Sequence, residues 1–224
     1  MRVTWFGQSA FSLSDDDRRI FIDPFGDMSS QAARGRFWKY PAIAGVEADL
    51  LLITHEHADH NAADVIGGSP SIIRSRAGTF RTPHGAVEGV ASEHDPVAGT
   101  RRGANVILIF ECQGLRVCHM GDFGQSSLRP EQRDAIGQVD LLFLPVGGTA
   151  TMDGVLAASI VEELHPRWAV PMHYRTPSIS FLDTAQSFLE TASKETVSLA
   201  GPSFDPTQID GEGETVIVVP APPE

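Results

Sequence analysis

The sequence predicts an α/β domain (α+β in some schemes) built of two β-sheets with helices outside them, and three features carry that reading. Short apolar runs of strand character outnumber the stretches of helical period. The early runs follow one another over tight turns, as an antiparallel meander would, and the later ones alternate with helical stretches. The 224 residues are read as one domain, 1–224, in which about 201–224 holds a last strand and a flexible tail ending PAPPE. A hydrophobic content of 42% is enough for a sizeable core.

In chain order, Val3–Phe6, Phe11–Leu13 and Arg19–Ile22 alternate as strands, with Gly7 and the Asp15-Asp16-Asp17 cluster as the turns between them. From Phe25 to Ala48 no period holds. A structureless stretch of that length in a compact domain often lines a site, although its Phe37, Trp38 and Tyr40 could equally pack the loop down on itself. Strands follow at Leu50–Ile53, Ser71–Arg74, Val87–Ala91, Asn105–Glu111, Leu115–His119, Leu141–Pro145, Trp168–Pro171 and Thr215–Val219. A short helix is expected after His60. A second runs from Asp153, an N-cap, to Leu164, with Val155, Leu156, Ile160 and Leu164 at helical spacing, and a third spans Phe181 to Ala192.

No apolar stretch approaches the roughly 18 residues of a membrane span, and MRVTWFGQSAF lacks the long apolar core of a signal peptide. A cytoplasmic protein is the expectation. Cys112 and Cys118 flank the turn Gln113-Gly114, where a tight hairpin pairs Cys112 with Leu115 and sets Cys118 opposite Ile109, so both are expected as free thiols. A formal charge of −12 disfavours nucleic acid as a partner, since Arg74/Arg76/Arg81 and Arg101/Arg102 are too short to make a basic stripe. A small-molecule substrate is expected, and a homo-oligomer is left open.

The chemistry concentrates in THEHADH, Thr54 to His60, directly after the run Leu50-Leu51-Leu52-Ile53. His55 and His57 lie two apart and share a face in extended chain, and Asp59 and His60 follow at once. Imidazole nitrogen and carboxylate oxygen suit a divalent cation, and crowding three imidazoles without one gains little. The stretch is not the zincin motif, whose fifth position would be histidine where this chain has Asp59. His94, Asp122 and His173 each come just after another predicted strand. Taken singly they could be a surface residue, a turn former and a hydrogen-bonded loop histidine. Strand carboxyl ends, however, gather at one rim, which would bring seven ligand-type side chains together.

The segments VTWFGQSAF, IFIDPF, LLITHEHADHN, SEHD, VCHMGDFG, LFLPVGGTATM and AVPMHY, spread over Val3 to Tyr174, resemble the metallo-β-lactamase-fold hydrolases, and most of all the L-ascorbate-6-phosphate lactonase-like branch. The resemblance implies a four-layer αββα sandwich with two divalent ions at one edge, usually zinc, with manganese or iron as alternatives. It places His55, His57 and His94 on the first ion and Asp59, His60 and His173 on the second, with Asp122 bridging and Asp23 orienting a ligand imidazole from behind. Asp59 and Asp122 would be the catalytic carboxylates. Glu56 would point away from the ions, while Asn61, Tyr174 and Thr149 would approach substrate. Hydrolysis of a small ester, lactone or phosphoester follows, with a small or lipid phosphodiester as the alternative bond. An iron persulfide dioxygenase-like enzyme and a non-catalytic metal-binding protein are the other readings.

Overall fold

The computed structural model describes residues 1–15, 17–34 and 36–224, so Asp16 of the expected acidic turn and Gly35 of the long segment lie outside them. Among the described residues fourteen strands make two sheets: β1 (Arg2–Gly7), β2 (Ala10–Ser14), β3 (Arg19–Ile22), β4 (Glu47–Ile53), β5 (Gly67–Arg74), β6 (Gly78–Thr82), β7 (Gly85–Glu93), β8 (Ala104–Cys112), β9 (Leu115–His119), β10 (Leu141–Pro145), β11 (Trp168–Met172), β12 (Glu195–Ser198), β13 (Ser203–Phe204) and β14 (Val216–Val219). The first sheet has the order β13-β1-β2-β3-β4-β5, and the second β12-β14-β11-β10-β9-β8-β7-β6. The opening meander is antiparallel as expected, and β9, β10, β11 and β14 run parallel. In the β8–β9 hairpin Cys112 pairs with Leu115 and Ile109 with Cys118, the register expected from the turn, and both thiols are free and buried.

The parallel strands are joined through α1 (Pro130–Ile136) and α2 (Gly154–Leu164), and α3 (Gln186–Ala192) precedes β12. α2 begins where its N-cap requires, since the Asp153 carboxylate accepts from the Leu156 N–H. Its Ala157, Ile160, Val161 and Leu164 enter the main core, whereas Val155, counted on the apolar face from spacing alone, is exposed. Among the described residues no helix is long and apolar enough to cross a membrane.

The run Leu50-Leu51-Leu52-Ile53 is apolar throughout because β4 is covered on both faces. Leu50 and Leu52, with Ile20 and Ile22 of β3, face the core between the sheets. Leu51 and Ile53, with Phe21, face a second cluster formed with Phe25, Met28, Tyr40, Ile43, Ile66, Ile179 and Leu182. The outer layer on this sheet is therefore supplied largely by the long segment after Asp23. That segment is pinned to the 176–182 loop by a bridge between Trp38 and Ile179, by Lys39 N–H to Ser178 O at 2.7 Å, and by a Tyr40–Thr176 hydroxyl bond at 2.9 Å. Trp38 meets Phe25 and Tyr40 edge-on, with centroids 5.2 and 5.5 Å apart.

Three of the expected elements differ in type or extent. The helix after His60 is a turn followed by a short 3-10 segment at Ala63–Val65. α3 starts at Gln186 instead of Phe181, because Leu182 is drawn into the second cluster and Asp183 N–H bonds Gly147 O. β5 reaches back through Pro70 to Gly67, which an edge strand tolerates because the proline's missing N–H need not pair. At the carboxyl end, Pro220 is buried and Ala221 N–H bonds Gly201 O.

Candidate metal centre

Five strand ends meet at one edge of the sandwich. β3 ends just before Asp23, β4 leads into Thr54, His55 and His57, β7 and β11 end just before His94 and His173, and β9 ends three residues before Asp122. β3 is parallel to β4, and in the other sheet β7, β9 and β11 all run in one direction, so the carboxyl ends converge.

The seven ligand-type side chains fall into two groups. His55, His57, His94 and Asp122 form one, and Asp59, His60 and His173 the other, with the candidate ligand atoms of each within 4.8 Å of one another. Asp122 Oδ2 sits between the groups, 2.9 Å from His94 Nε2, 3.3 Å from both His60 Nε2 and His173 Nε2, and 3.8 Å from His55 Nε2. His57 Nδ1 lies 3.0 Å from His55 Nε2. All of these residues are buried except His57 and Asp59, which are half-buried.

This arrangement fits divalent metal. Ligand atoms about 2.0–2.2 Å from a cation stand roughly 3–3.6 Å from each other, which is the spacing around Asp122 Oδ2. The buried His60 Nε2 points into the cluster with no hydrogen-bond partner among the described residues. Four imidazoles around one ionised carboxylate are also the donor set that zinc, manganese or iron accepts.

The residues behind the cluster set the proton positions. The Asp23 carboxylate is fully buried and accepts from Thr54 N (2.8 Å), Thr54 Oγ1 (2.7 Å) and His60 Nδ1 (2.9 Å). Since the Thr54 hydroxyl spends its proton on Asp23, it can only accept from His55 Nδ1, 3.0 Å away. One carboxylate therefore anchors the Nδ1–H of both His55 and His60, one histidine in each group, and turns both Nε2 atoms toward the cluster. The expectation that Asp23 orients an imidazole matches this geometry, and its reach to His55 through Thr54 is an addition.

Electrostatics follow burial and neighbours. Burial, reinforced by the neighbouring His60, pushes His55 well below the usual imidazole range, and burial also lowers His57. For His60 burial acts in the same direction but is overcome by Asp122, Asp59 and Asp23, which raise it well above its ordinary value. Asp122 lies well below the usual carboxylate range, because His173 and His60 outweigh the cost of its burial, so it stays ionised.

Several contributors carry no metal-ligand pattern in the sequence. The Gly7–Ser9 turn between β1 and β2 reaches under the cluster. Gln8 Nε2 donates to Asp59 Oδ2 (3.2 Å), Ser9 Oγ to Asp122 Oδ1 (3.5 Å), and His173 N–H to Gln8 O (3.2 Å). Asn105 Oδ1 accepts from Asp122 N–H (3.0 Å) while its amide donates to Ser92 and Met120 O. The only sequence signal was polar residues in an otherwise apolar hairpin and strand. Gln8, Asp23, Thr149 and His173 all adopt positive φ, a strained state for non-glycine residues that concentrates at functional sites. Gly124 is needed for close approach, since a Cβ there would collide with the His94 carbonyl carbon.

The remaining residues singled out from the sequence settle as follows. Glu56 turns outward as expected, bonding Arg74 Nη2 at 2.6 Å and Ser75 Oγ at 2.6 Å. Asn61 donates to Glu56 O (3.0 Å), and Tyr174 stacks on Trp5 in the core at 5.7 Å. Neither of them, nor Thr149, is among the residues lining the cleft over the cluster. Asp95, next to His94, is buried, and against the cost of that burial the backbone N–H groups of Arg102, Arg101, Val97 and Gly99 hold it below its ordinary value. His119 is buried on β9, donating through Nε2 to Ser9 O and accepting at Nδ1 from Gly121 N–H. His165 is the exposed C-cap of α2.

Comparison with known proteins agrees with the geometry. A family model described as a beta-lactamase superfamily domain matches residues 2–173. The chain is 32% identical over 200 residues to a UPF0173 metal-dependent hydrolase of Thermus thermophilus, covering 79% of this chain and 84% of the relative. It is 31% identical over 205 residues to a UPF0173 protein of Pyrococcus furiosus, covering 80% and 85%. A crystal structure from Thermotoga maritima, proposed to be a Zn-dependent hydrolase of the metallo-β-lactamase superfamily, superposes with a TM-score of 0.75 at 29% identity over 98% of both chains. With the sandwich, the strand-end histidines and these relatives in agreement, the chain belongs to the metallo-β-lactamase superfamily and, within it, to the UPF0173 metal-dependent hydrolase family.

Proposed function

We propose that this chain hydrolyses a small ester, lactone or phosphoester with two divalent ions, zinc in the first instance. The observation that carries the reading is the convergence of seven ligand-type side chains in two groups around Asp122 Oδ2. His55, His57 and His94 would hold one ion, Asp59, His60 and His173 the other, and Asp122 both. Bound there, such ions lower the pKa of water toward roughly 7 and polarise the oxygen of the bond to be cut.

The chain's own groups do the rest. Asp23 keeps the protons of His55 and His60 on Nδ1. Gln8 fixes Asp59 through Oδ2 and leaves Oδ1 to take up or pass on a proton from the attacking water. The cleft over the cluster, about 330 Å³ and lined by His57, Asp59, His94, Asp122 and His173, suits a small molecule. The motif likeness to the L-ascorbate-6-phosphate lactonase-like branch favours a lactone, and the zinc assignment draws on the Thermotoga relative.

Metal analysis of the purified protein, followed by assay on a lactone panel, simple aryl esters and a bis-aryl phosphodiester, tests this. Two equivalents of zinc and turnover abolished by chelation or by Asp122→Ala are expected. One equivalent of iron would favour a persulfide dioxygenase-like enzyme, and metal without turnover on any substrate class a binding protein.

A further inference from the structure

Two arginines share the cleft with the metal cluster: Arg36, from the long segment after Asp23, and Arg102, from the loop that follows His94. In a chain of net charge −12, some guanidinium groups elsewhere are neutralised by carboxylates, Arg19 by Glu47 and Asp49, Arg74 by Glu56, and Arg133 by Glu163. Among the described residues Arg36 and Arg102 have no carboxylate within ion-pair distance, although Asp59 and Asp122 line the same cleft.

Both are instead directed by neutral acceptors. Arg36 Nη1 bonds Gln31 Oε1 at 3.4 Å and its guanidinium lies 4.8 Å over the Phe181 ring. Arg102 Nη2 bonds Thr149 O at 3.3 Å, and its backbone N–H is tied to Asp95 Oδ2 at 2.8 Å. Asp95 is the neighbour of His94, so the loop that presents a metal ligand also presents Arg102. Such contacts aim a guanidinium without discharging it. They leave donors free for the planar, two-point recognition of an oxyanion at which arginine excels.

Resting on the hydrolase reading, we infer that the substrate carries an anionic oxyacid group, carboxylate or phosphate, in addition to the bond that is cut, and that Arg36 and Arg102 bind it. These two residues then determine specificity, and neutral esters are poor substrates because they leave both charges unanswered.

The test compares the metal-loaded protein with R36Q/R102Q, using R101Q as a control in the adjacent exposed arginine. Calorimetric titration with inorganic phosphate and, separately, succinate measures binding without turnover. Because any direct contact of these anions with metal is common to all three proteins, the difference reports on the arginines. Affinity for at least one anion should fall at least about tenfold in R36Q/R102Q and stay within about twofold in R101Q, and the anion that responds more identifies the group. In the kinetic arm, 4-nitrophenyl acetate is compared with mono-4-nitrophenyl succinate. KM for the charged ester should rise about tenfold in R36Q/R102Q with kcat kept, while the neutral ester is unaffected. Unchanged binding of both anions by R36Q/R102Q overturns the assignment, even if both esters are cut and the hydrolase reading stands. If neither ester, lactone nor phosphodiester is cut, the hydrolase reading fails while the titration still decides for or against the arginines.

Discussion

On the proposed two-ion reading, replacing Asp23 by asparagine should weaken metal binding in both groups through a residue that ligates neither ion. Asn tolerates the positive φ of 49° found at this position, so the backbone is retained and the effect is on hydrogen bonding and charge. The carboxylate accepts three bonds, Thr54 N on Oδ1 and Thr54 Oγ1 with His60 Nδ1 on Oδ2. An amide offers one acceptor oxygen and turns an NH2 toward whichever donors it replaces, so at least one buried bond to a charged group is lost. Each such bond contributes about 1.5–3 kcal/mol, giving a fall in unfolding free energy of roughly 2–4 kcal/mol once the facing donors are counted. Loss of an outer carboxylate typically costs ten- to a hundredfold in metal affinity, about 1.4–2.7 kcal/mol. The loss should be larger for the ion held with His60, which bonds Asp23 directly, than for the one held with His55, reached through Thr54. Thr54→Val separates the two paths, since it removes the relay to His55 and leaves the His60–Asp23 bond. Competition titration against a chromophoric chelator, resolving the two equivalents, is the assay, with urea unfolding for stability. Two equivalents with affinities within about twofold of wild type in Asp23→Asn, or equal weakening of both by Thr54→Val, would refute the orientation argument.

Glu56, held down to about 2 chiefly by its bond to Arg74, has a folded value below its unfolded one, so the stability it adds is present above about 4.5 and is lost as pH falls toward 2. The pair is half-exposed, which limits that contribution to less than about 1 kcal/mol, and the stability gap between wild type and Glu56→Gln in urea should narrow as pH falls below about 4.5 and close only near about pH 2. Gly124→Ala forces the new methyl against the His94 carbonyl and should cost about 1–3 kcal/mol while weakening the first metal equivalent, and a variant with unchanged metal affinity would free His94 from that constraint. Tyr40, whose ionisation burial pushes up to about 12, stays neutral at any working pH and bonds Thr176. Tyr40→Phe should therefore lower stability by about 0.5–1.5 kcal/mol without a change in the pH profile, as measured by thermal unfolding from pH 6 to pH 9.

The candidate ligands were legible because each lies immediately after an apolar run, and a strand end is a local property of the chain. His55 with β4, His94 with β7, Asp122 with β9 and His173 with β11 all follow that pattern. α1, absent from the sequence expectation, nonetheless carries local signals, with Pro130 at its first turn and Gly137 just past its end. β12 and β13 had none, being short edge elements whose pairing with β14 and β1 is made by distant chain. The four-layer expectation needed one revision of material: on the first sheet the outer cover is mostly irregular chain, because Phe25, Met28, Tyr40 and Ile43 bury the outward face of β3 and β4.

By itself the sequence determined the two-sheet class, the hairpin register at Cys112 and Cys118, and the identity of the seven ligand-type residues. All of these depend on periodicity or on neighbours along the chain. The tertiary structure alone decided which carboxylate stands behind which imidazole, that the Gln8–Ser9 turn supports Asp59 and Asp122, and that Arg36 and Arg102 face one cleft. The residues in those contacts are 37, 51, 113 and 66 positions apart, and no local pattern encodes a meeting that exists only once both sheets have closed over a common core.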